Sequence, residues 1–252
     1  MKVSVLSSGS KGNTTYIESK EAKILIDAGN SSKYIIDKLN ELNINPKEID
    51  AILITHIHSD HIKGLEVLLK HINPCVYLTK INHSYLDFIK NYKYIETDQF
   101  NIKDLEINTI KTSHDAPDSL GYIISNEDKS IVYITDTGYI NKKYYNKLSN
   151  KNIYIMESNH DIEMLNNGKY PFELRQRILS DKGHLSNYDS SKYLSDFIGN
   201  NTQKIILAHL SEENNTESLA YETLKSRLNK KNIAFNDIII AKQNKNTELI
   251  NI

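Results

Sequence analysis

The sequence predicts an α/β layered fold, and three observations carry that prediction. Short apolar, β-branched runs of strand length alternate with longer stretches whose apolar residues recur at helical spacing. The 252 residues suffice for a large core and suit one domain, expected to span 1–252. An Asp, His or Glu follows one apolar run after another, and strand ends on one edge are where open α/β sheets build their sites.

Taken in order, residues 3–6, 14–18 and 23–26 read as strands. Residues 31–42 read as a helix capped by Ser31 or Ser32. The run 51–54 is a buried strand. After it, Ile62, Leu65, Leu68, Leu69 and Ile72 fall at helical spacing, predicting a helix over 61–72. Residues 75–78 form the next strand, with Cys75 as a buried strand cysteine, and 82–92 a helix. Strands follow at 105–110, 120–125 and 130–135, the last two joined by a hairpin turn at Asn126-Glu127-Asp128-Lys129. Residues 152–156 are another strand. A helix over 171–179 opens on Pro171, as a first helical position permits. The chain closes with a helix at 189–198, a strand at 204–208, a helix at 218–228 and a strand at 237–241. There is no internal repeat, Pro-rich linker or charge block.

Composition excludes some classes. With 31 basic and 32 acidic residues the net charge is −1, so a nucleic-acid partner would need a local basic patch. The single cysteine, Cys75, excludes an internal disulfide. No stretch approaches a membrane span, and residues 1–6 interleave polar residues without an apolar signal core, so a cytoplasmic location is expected.

The densest chemistry is Thr55-His56-Ile57-His58-Ser59-Asp60-His61, on a turn from strand to helix. Imidazole nitrogens and carboxylate oxygens gathered on such a turn can converge on a divalent metal. Elsewhere Asp27, Asp136, Glu157 and His209 each follow an apolar run, and His114 follows a weaker one. A lone polar residue after a strand is ordinarily a turn residue, but this many read as one shared site. His56, His58, Asp60, His61, His114, Asp136 and His209 suit a metal pair, which needs about six protein ligands and a bridging carboxylate. A structural zinc would need only four and normally uses cysteine.

At these residues the chain resembles the metallo-β-lactamase fold superfamily over nearly its whole length. The resemblance implies an αβ/βα four-layer sandwich with two metals at one edge. By matching position, His56, His58 and His114 would hold the first metal, and Asp60, His61 and His209 the second, with Asp136 bridging. Asp27 matches the aspartate that the superfamily uses to orient ligands. A β-lactamase of this kind usually carries Cys where Asp136 stands, which disfavours antibiotic hydrolysis. The 21 residues between His114 and Asp136 leave no room for the long arm of tRNA 3′-processing nucleases. The 47 between Asp136 and His184 are too few for the inserted domain of RNase J-type enzymes. Ser7 to Asn13, Glu157 to Asp161, Gly183-His184-Leu185-Ser186-Asn187 and Ala208 to Asn215 resemble the motifs of the YycJ/WalJ group, which is associated with 5′-to-3′ DNA exonuclease activity.

The expectation is therefore a metal-dependent phosphodiesterase acting on DNA, with two divalent ions, zinc or manganese, iron also suiting the donors. Two such ions can clamp the attacking and leaving oxygens of an in-line displacement. Asp60 and His184 are assigned catalytic roles, His184 as a phosphate ligand or an acid for the leaving group. Arg175 and Arg177 form either a phosphate-binding patch or a solvated helix face. Lys11, in Gly9-Ser10-Lys11-Gly12, either meets a phosphate or merely sits in a tight turn. His71 and His83 match no motif and read as ordinary surface or helix residues. A small-molecule hydrolase on the same fold (a cyclic phosphodiesterase, lactonase or thioesterase) is the alternative, favoured by the neutral net charge.

Overall fold

The computed structural model describes residues 1–127 and 129–252. The first half contains β1 (Lys2–Ser7), β2 (Thr14–Glu18), β3 (Lys23–Ile26), α1 (Ser32–Glu41), β4 (Ala51–Leu53), α2 (Ser59–Ile62), α3 (Leu65–His71), β5 (Cys75–Leu78), α4 (Lys80–His83) and β6 (Tyr92–Tyr94). The second contains β7 (Gln99–Ile102), β8 (Leu105–Lys111), β9 (Leu120–Asn126), β10 (Lys129–Ile134), α5 (Tyr145–Leu148), β11 (Ile153–Glu157), α6 (Ile162–Asn167), α7 (Phe172–Leu179), α8 (Asn187–Phe197), β12 (Lys204–Ala208), α9 (Glu217–Lys230), β13 (Ile238–Ile240) and β14 (Ile250–Asn251).

Among the described residues these strands make two seven-stranded sheets, β14-β1-β2-β3-β4-β5-β6 and β13-β12-β11-β10-β9-β8-β7. In each sheet an antiparallel meander runs into a parallel run, β3 to β6 in one and β10 to β13 in the other. Apolar side chains on the inner faces meet in a central core that includes Ile24, Leu53, Tyr122, Ile131 and Ile155. The outer face of the first sheet buries Leu25, Ile52 and Val76 against Ile35, Leu39 and Leu68 of α1 and α3. That of the second buries Val132, Tyr154 and Ile205 against Leu194, Phe197 and Leu224 of α8 and α9. Helix, sheet, sheet, helix is the αβ/βα sandwich expected.

Parallel strands buried on both faces read as continuous apolar runs, which is why β3, β5 and β12 match their predicted bounds. Several expectations need correction. The helix predicted over 61–72 is broken into α2 and α3 at Gly64. The Gly64 N–H donates to Ala28 O at 2.8 Å, and a Cβ there would lie 2.0 Å from Asn30 O. The helix predicted over 82–92 stops at His83. Leu86 and Ile89 are buried from turns instead, and Tyr92 opens β6, which takes the free edge of β5. Pro171 is the N-cap of α7, one position before the first turn. Cys75 is half-buried at the start of its strand. His83 is a helix residue, the last of α4, as expected, with its Nδ1 2.9 Å from the Tyr94 hydroxyl and its ring packed on Tyr92. Strands β7 and β14 and helices α5 and α6 carry too little apolar pattern to be read beforehand. The hairpin expected at 126–129 joins β9 and β10, with Asn126 paired to Lys129; Asp128 of that turn lies outside the described residues. No helix among the described residues is long and apolar enough to cross a membrane.

Candidate metal centre

Strands of the two parallel runs deliver the chemistry at their C-terminal ends. Asp27 follows β3, His56 lies beyond β4, Asp136 beyond β10, Glu157 ends β11 and His209 follows β12. Asp27, Asp136 and His209 all adopt left-handed backbone, with φ of 59°, 56° and 55°. That region is uncommon for residues with a Cβ and persists only where the surroundings over-determine it. Here they do: Asp27 N–H donates to Leu53 O at 2.9 Å and His209 N–H to Ser8 Oγ at 2.7 Å.

Hydrogen bonds at the back of each ring fix its tautomer. Asp27, fully buried, accepts from the Thr55 N–H and hydroxyl at 2.8 Å each, and from His61 Nδ1–H at 2.7 Å. Since the Thr55 proton goes to Asp27, His56 Nδ1–H donates to Thr55 Oγ1 at 3.0 Å. A carbonyl can only accept, so His114 Nδ1–H donates to Gly183 O at 3.1 Å. His209 Nδ1–H faces Glu157 Oε1 at 3.2 Å. Each of these four rings thereby turns its Nε2 inward, the nitrogen a metal-ligating histidine would offer.

The inward atoms crowd together. His56, His58 and His114 converge, as do Asp60, His61 and His209, each group with its donor atoms within 4.8 Å of one another. Asp136 joins the two sets: Oδ2 is 3.0 Å from His61 Nε2, and Oδ1 is 3.5 Å from His209 Nε2 and 3.6 Å from His114 Nε2. His56 Nε2 and Asp136 Oδ2 are buried without a hydrogen-bond partner, the close His61 contact lacking hydrogen-bond geometry. His58 Nδ1 lies 3.1 Å from His114 Nε2. A buried ring nitrogen and carboxylate oxygen left without partners are costly unless a cation sits beside them, so the donor set fits a divalent metal.

Protonation points the same way. Burial, then neighbouring His61, holds His56 well below its ordinary pKa, and burial first lowers His58 and His114, so all three are neutral candidate donors at pH 7. Burial works against the carboxylates, yet His61 brings Asp60, and His209 with His61 brings Asp136, well below the usual range. Against burial, Asp136 and Asp27 raise His61, and Asp136 and Asp60 raise His209 to about 10. Carboxylates that draw protons onto two histidines would equally draw a divalent cation and release those protons.

His184 closes the site. Its Nδ1 lies 2.7 Å from Glu157 Oε1, and its ring stacks on His209 with 5.4 Å between centroids. Glu157 is fully buried, accepts from the N–H groups of Thr137 and Leu185 at 3.1 Å each, and is held at about 2, His184 outweighing burial. A cavity of about 220 Å³ opens over His58, Asp60, Asp136, His184 and His209.

A family model, that of the metallo-beta-lactamase superfamily, matches residues 8–159, which contain six of the seven converging candidates. The chain belongs to the metallo-beta-lactamase superfamily. Within it, the chain is 41% identical over 236 residues to a protein of Streptococcus pneumoniae named exodeoxyribonuclease WalJ, covering 90% of this chain and 88% of that one. It is 39% identical over 237 residues to one of Bacillus anthracis named exodeoxyribonuclease YycJ, covering 90% and 89%. These place it in the WalJ/YycJ group of the superfamily. Among solved structures, the metallo-beta-lactamase fold protein YhfI from Bacillus subtilis has a TM-score of 0.71 at 16% identity, covering 98% of this chain and 99% of that one.

In this member of the superfamily, the seven candidate ligands and His184 lie together, with Asp27 behind His61. The expected substrate contacts divide. Arg177 lines the cavity while ion-paired with Asp115. Arg175 turns away to donate to Asn166 O, and Lys11 pairs with Glu212 at 2.5 Å. Sequence reasoning missed two participants, Asp115 and Asn13, and placed a third, Glu157, at the shared site without a role. Glu157 stood at a strand end yet outside the ligand set, although its carboxylate groups with Asp136, His184 and His209. Asp115, next to His114, reaches within 3.7 Å of His58 Nε2. Asn13 Nδ2 lies 3.1 Å from both Asp60 Oδ2 and His61 Nε2; its only signal was its place in the Gly9-Ser10-Lys11-Gly12-Asn13 loop.

Proposed function

We propose that this chain is a metal-dependent exodeoxyribonuclease that uses two divalent ions, zinc or manganese, and degrades DNA from a 5′ end. The observation that carries the reading is its 41% identity, over 90% of its length, to a protein bearing that name. The unit responsible is the whole chain, 1–252, acting as one domain.

His56, His58 and His114 would hold one ion, Asp60, His61 and His209 the other, and Asp136 would lie between them. Bound there, the ions supply positive charge to the phosphodiester and lower the pKa of water. Asp27 keeps His61 Nδ1 protonated and its Nε2 free. Glu157 likewise accepts from the Nδ1–H groups of His209 and His184. Against burial, the Glu157 carboxylate raises the His184 pKa, which favours the protonated ring. With Nδ1–H bound to Glu157, His184 Nε2–H is the group able to protonate a leaving oxygen. Asp60 Oδ2, 3.3 Å from His209 Nε2, reaches the cavity and can accept a proton from water.

Two substrate panels test the reading: 5′- and 3′-labelled DNA, and small esters including cyclic nucleotides. Metal-loaded protein should shorten DNA from the 5′ end, and Asp136→Ala and His58→Ala should reduce this to background. Undiminished activity in either variant rejects the metal assignment. Turnover of small esters without DNA degradation would make the chain a small-molecule hydrolase instead.

A further inference from the structure

Helix α7 forms one wall of the cavity, with Ile178 its only buried residue. Tyr170, Leu174, Arg177 and Ile178 of this segment line the cavity over the metal-ligand cluster. Leu174, Arg177 and Ile178, three and one apart, share one face of the helix, and Tyr170 joins them from the bend just before it. Among the described residues lining the cavity, Arg177 is the one arginine or lysine and Tyr170 the one tyrosine. The remaining ionisable groups there are the candidate metal ligands and His184.

These side chains match the parts of one nucleotide. A guanidinium grips phosphate through two parallel N–H bonds. An aromatic face takes any base, because every base has a π surface. Leu174 and Ile178, lining the same cavity, offer an apolar surface to a sugar. Arg177 is at present paired with Asp115, but both groups are partly exposed, at 51% and 28%. An ion pair at that exposure is weak in water, so a phosphate can exchange with the Asp115 carboxylate. We propose that this face of α7 is a nucleotide subsite for single-stranded DNA, Arg177 binding a backbone phosphate and Tyr170 stacking on a base. The inference rests on the exonuclease reading. It goes further by naming how the strand is held and why digestion would be tolerant of sequence.

Binding can be measured apart from cleavage. Fluorescence anisotropy with a labelled single-stranded oligonucleotide and chelator-treated protein reports affinity without turnover. Tyr170→Ala should weaken binding tenfold or more and leave its salt dependence unchanged, because stacking releases no counterions. Tyr170→Phe, which keeps the ring, should bind within about threefold of the parent. Arg177→Ala should weaken binding and lower the slope of log affinity against log salt by about 0.7, the signature of one lost phosphate contact on a single strand. Far-ultraviolet dichroism and melting of each variant separate loss of contact from loss of fold. Equal binding by Tyr170→Ala and the parent, or an unchanged salt slope in Arg177→Ala, overturns the subsite while leaving the exonuclease reading intact. Parent protein that binds the oligonucleotide through both side chains but never shortens DNA overturns the exonuclease reading and keeps the subsite.

Discussion

Asp27 makes no contact with the cavity, yet the orientation of His61 depends on it. Its carboxylate is fully buried and holds His61 Nδ1–H at 2.7 Å while taking two further hydrogen bonds from Thr55. Outer partners of this kind are worth about 10–100-fold in metal affinity. Asp27→Ala should therefore weaken metal binding by about that factor, read by competition with a chromophoric chelator. Affinity within twofold of the parent would remove Asp27 from the positioning of His61. At this scale much was legible. Seven ligand candidates and His184 could be named because each is a metal- or proton-handling residue type set directly after an apolar run or inside one motif. Asp115 and Asn13 could not, because their roles rest on side-chain contacts across more than forty positions of chain, which no local pattern encodes.

The elements carry these residues on sharp turns, and the turns demand close packing. At Gly64 the chain passes between α2 and α3 with its backbone against the loop after β3, so a Cβ would strike Asn30 O. Gly64→Ala should destabilise the fold by about 1–3 kcal/mol, the range for forced overpacking, read by urea denaturation. A fall in metal affinity should accompany it, because Gly64 lies three residues after His61. Stability within about 0.5 kcal/mol of the parent would show that the loop yields freely. The same packing explains why the helix predicted over 61–72 is interrupted: apolar periodicity sees which side of a helix is buried, not that another backbone lies across its path. The helix predicted over 82–92 failed for a related reason. An open edge of β5 offers Tyr92–Tyr94 a full set of backbone partners, and tertiary pairing overrides local spacing.

Across the whole molecule, tyrosine does the aromatic packing of a chain without tryptophan. Tyr16, Tyr122, Tyr133 and Tyr154 are among the largest fully buried side chains. Burial pushes Tyr154 up to about 12, and burial, then Glu41, pushes Tyr34 up to about 12. In the unfolded chain a tyrosine ionises near pH 10. The folded state therefore holds these protons more tightly, and the stability they contribute is complete below about pH 10 and lost as pH rises toward about 12. Alkaline titration at constant temperature should show tyrosinate absorbance from the buried group appearing together with loss of dichroism. Full ionisation of all tyrosines near pH 10 with the fold intact would contradict that.

The sequence by itself determined the fold class, the strand ends and the residue types that gather there, because strand and helix periods and ligand chemistry are local properties. It showed no repeat, whereas the structure builds two sheets on one plan, each running from an antiparallel meander into a parallel run. Only the tertiary structure decided that the two parallel runs end at a common edge, so that Asp27 and His56 from one sheet meet Asp136, Glu157 and His209 from the other. Only there did Glu157 become the partner of two histidines and Arg177 separate from Arg175. The physical reason is range: hydrophobic pattern tells each segment which face to bury, but which buried faces pack together, and hence which lone pairs converge, is settled by the core they share.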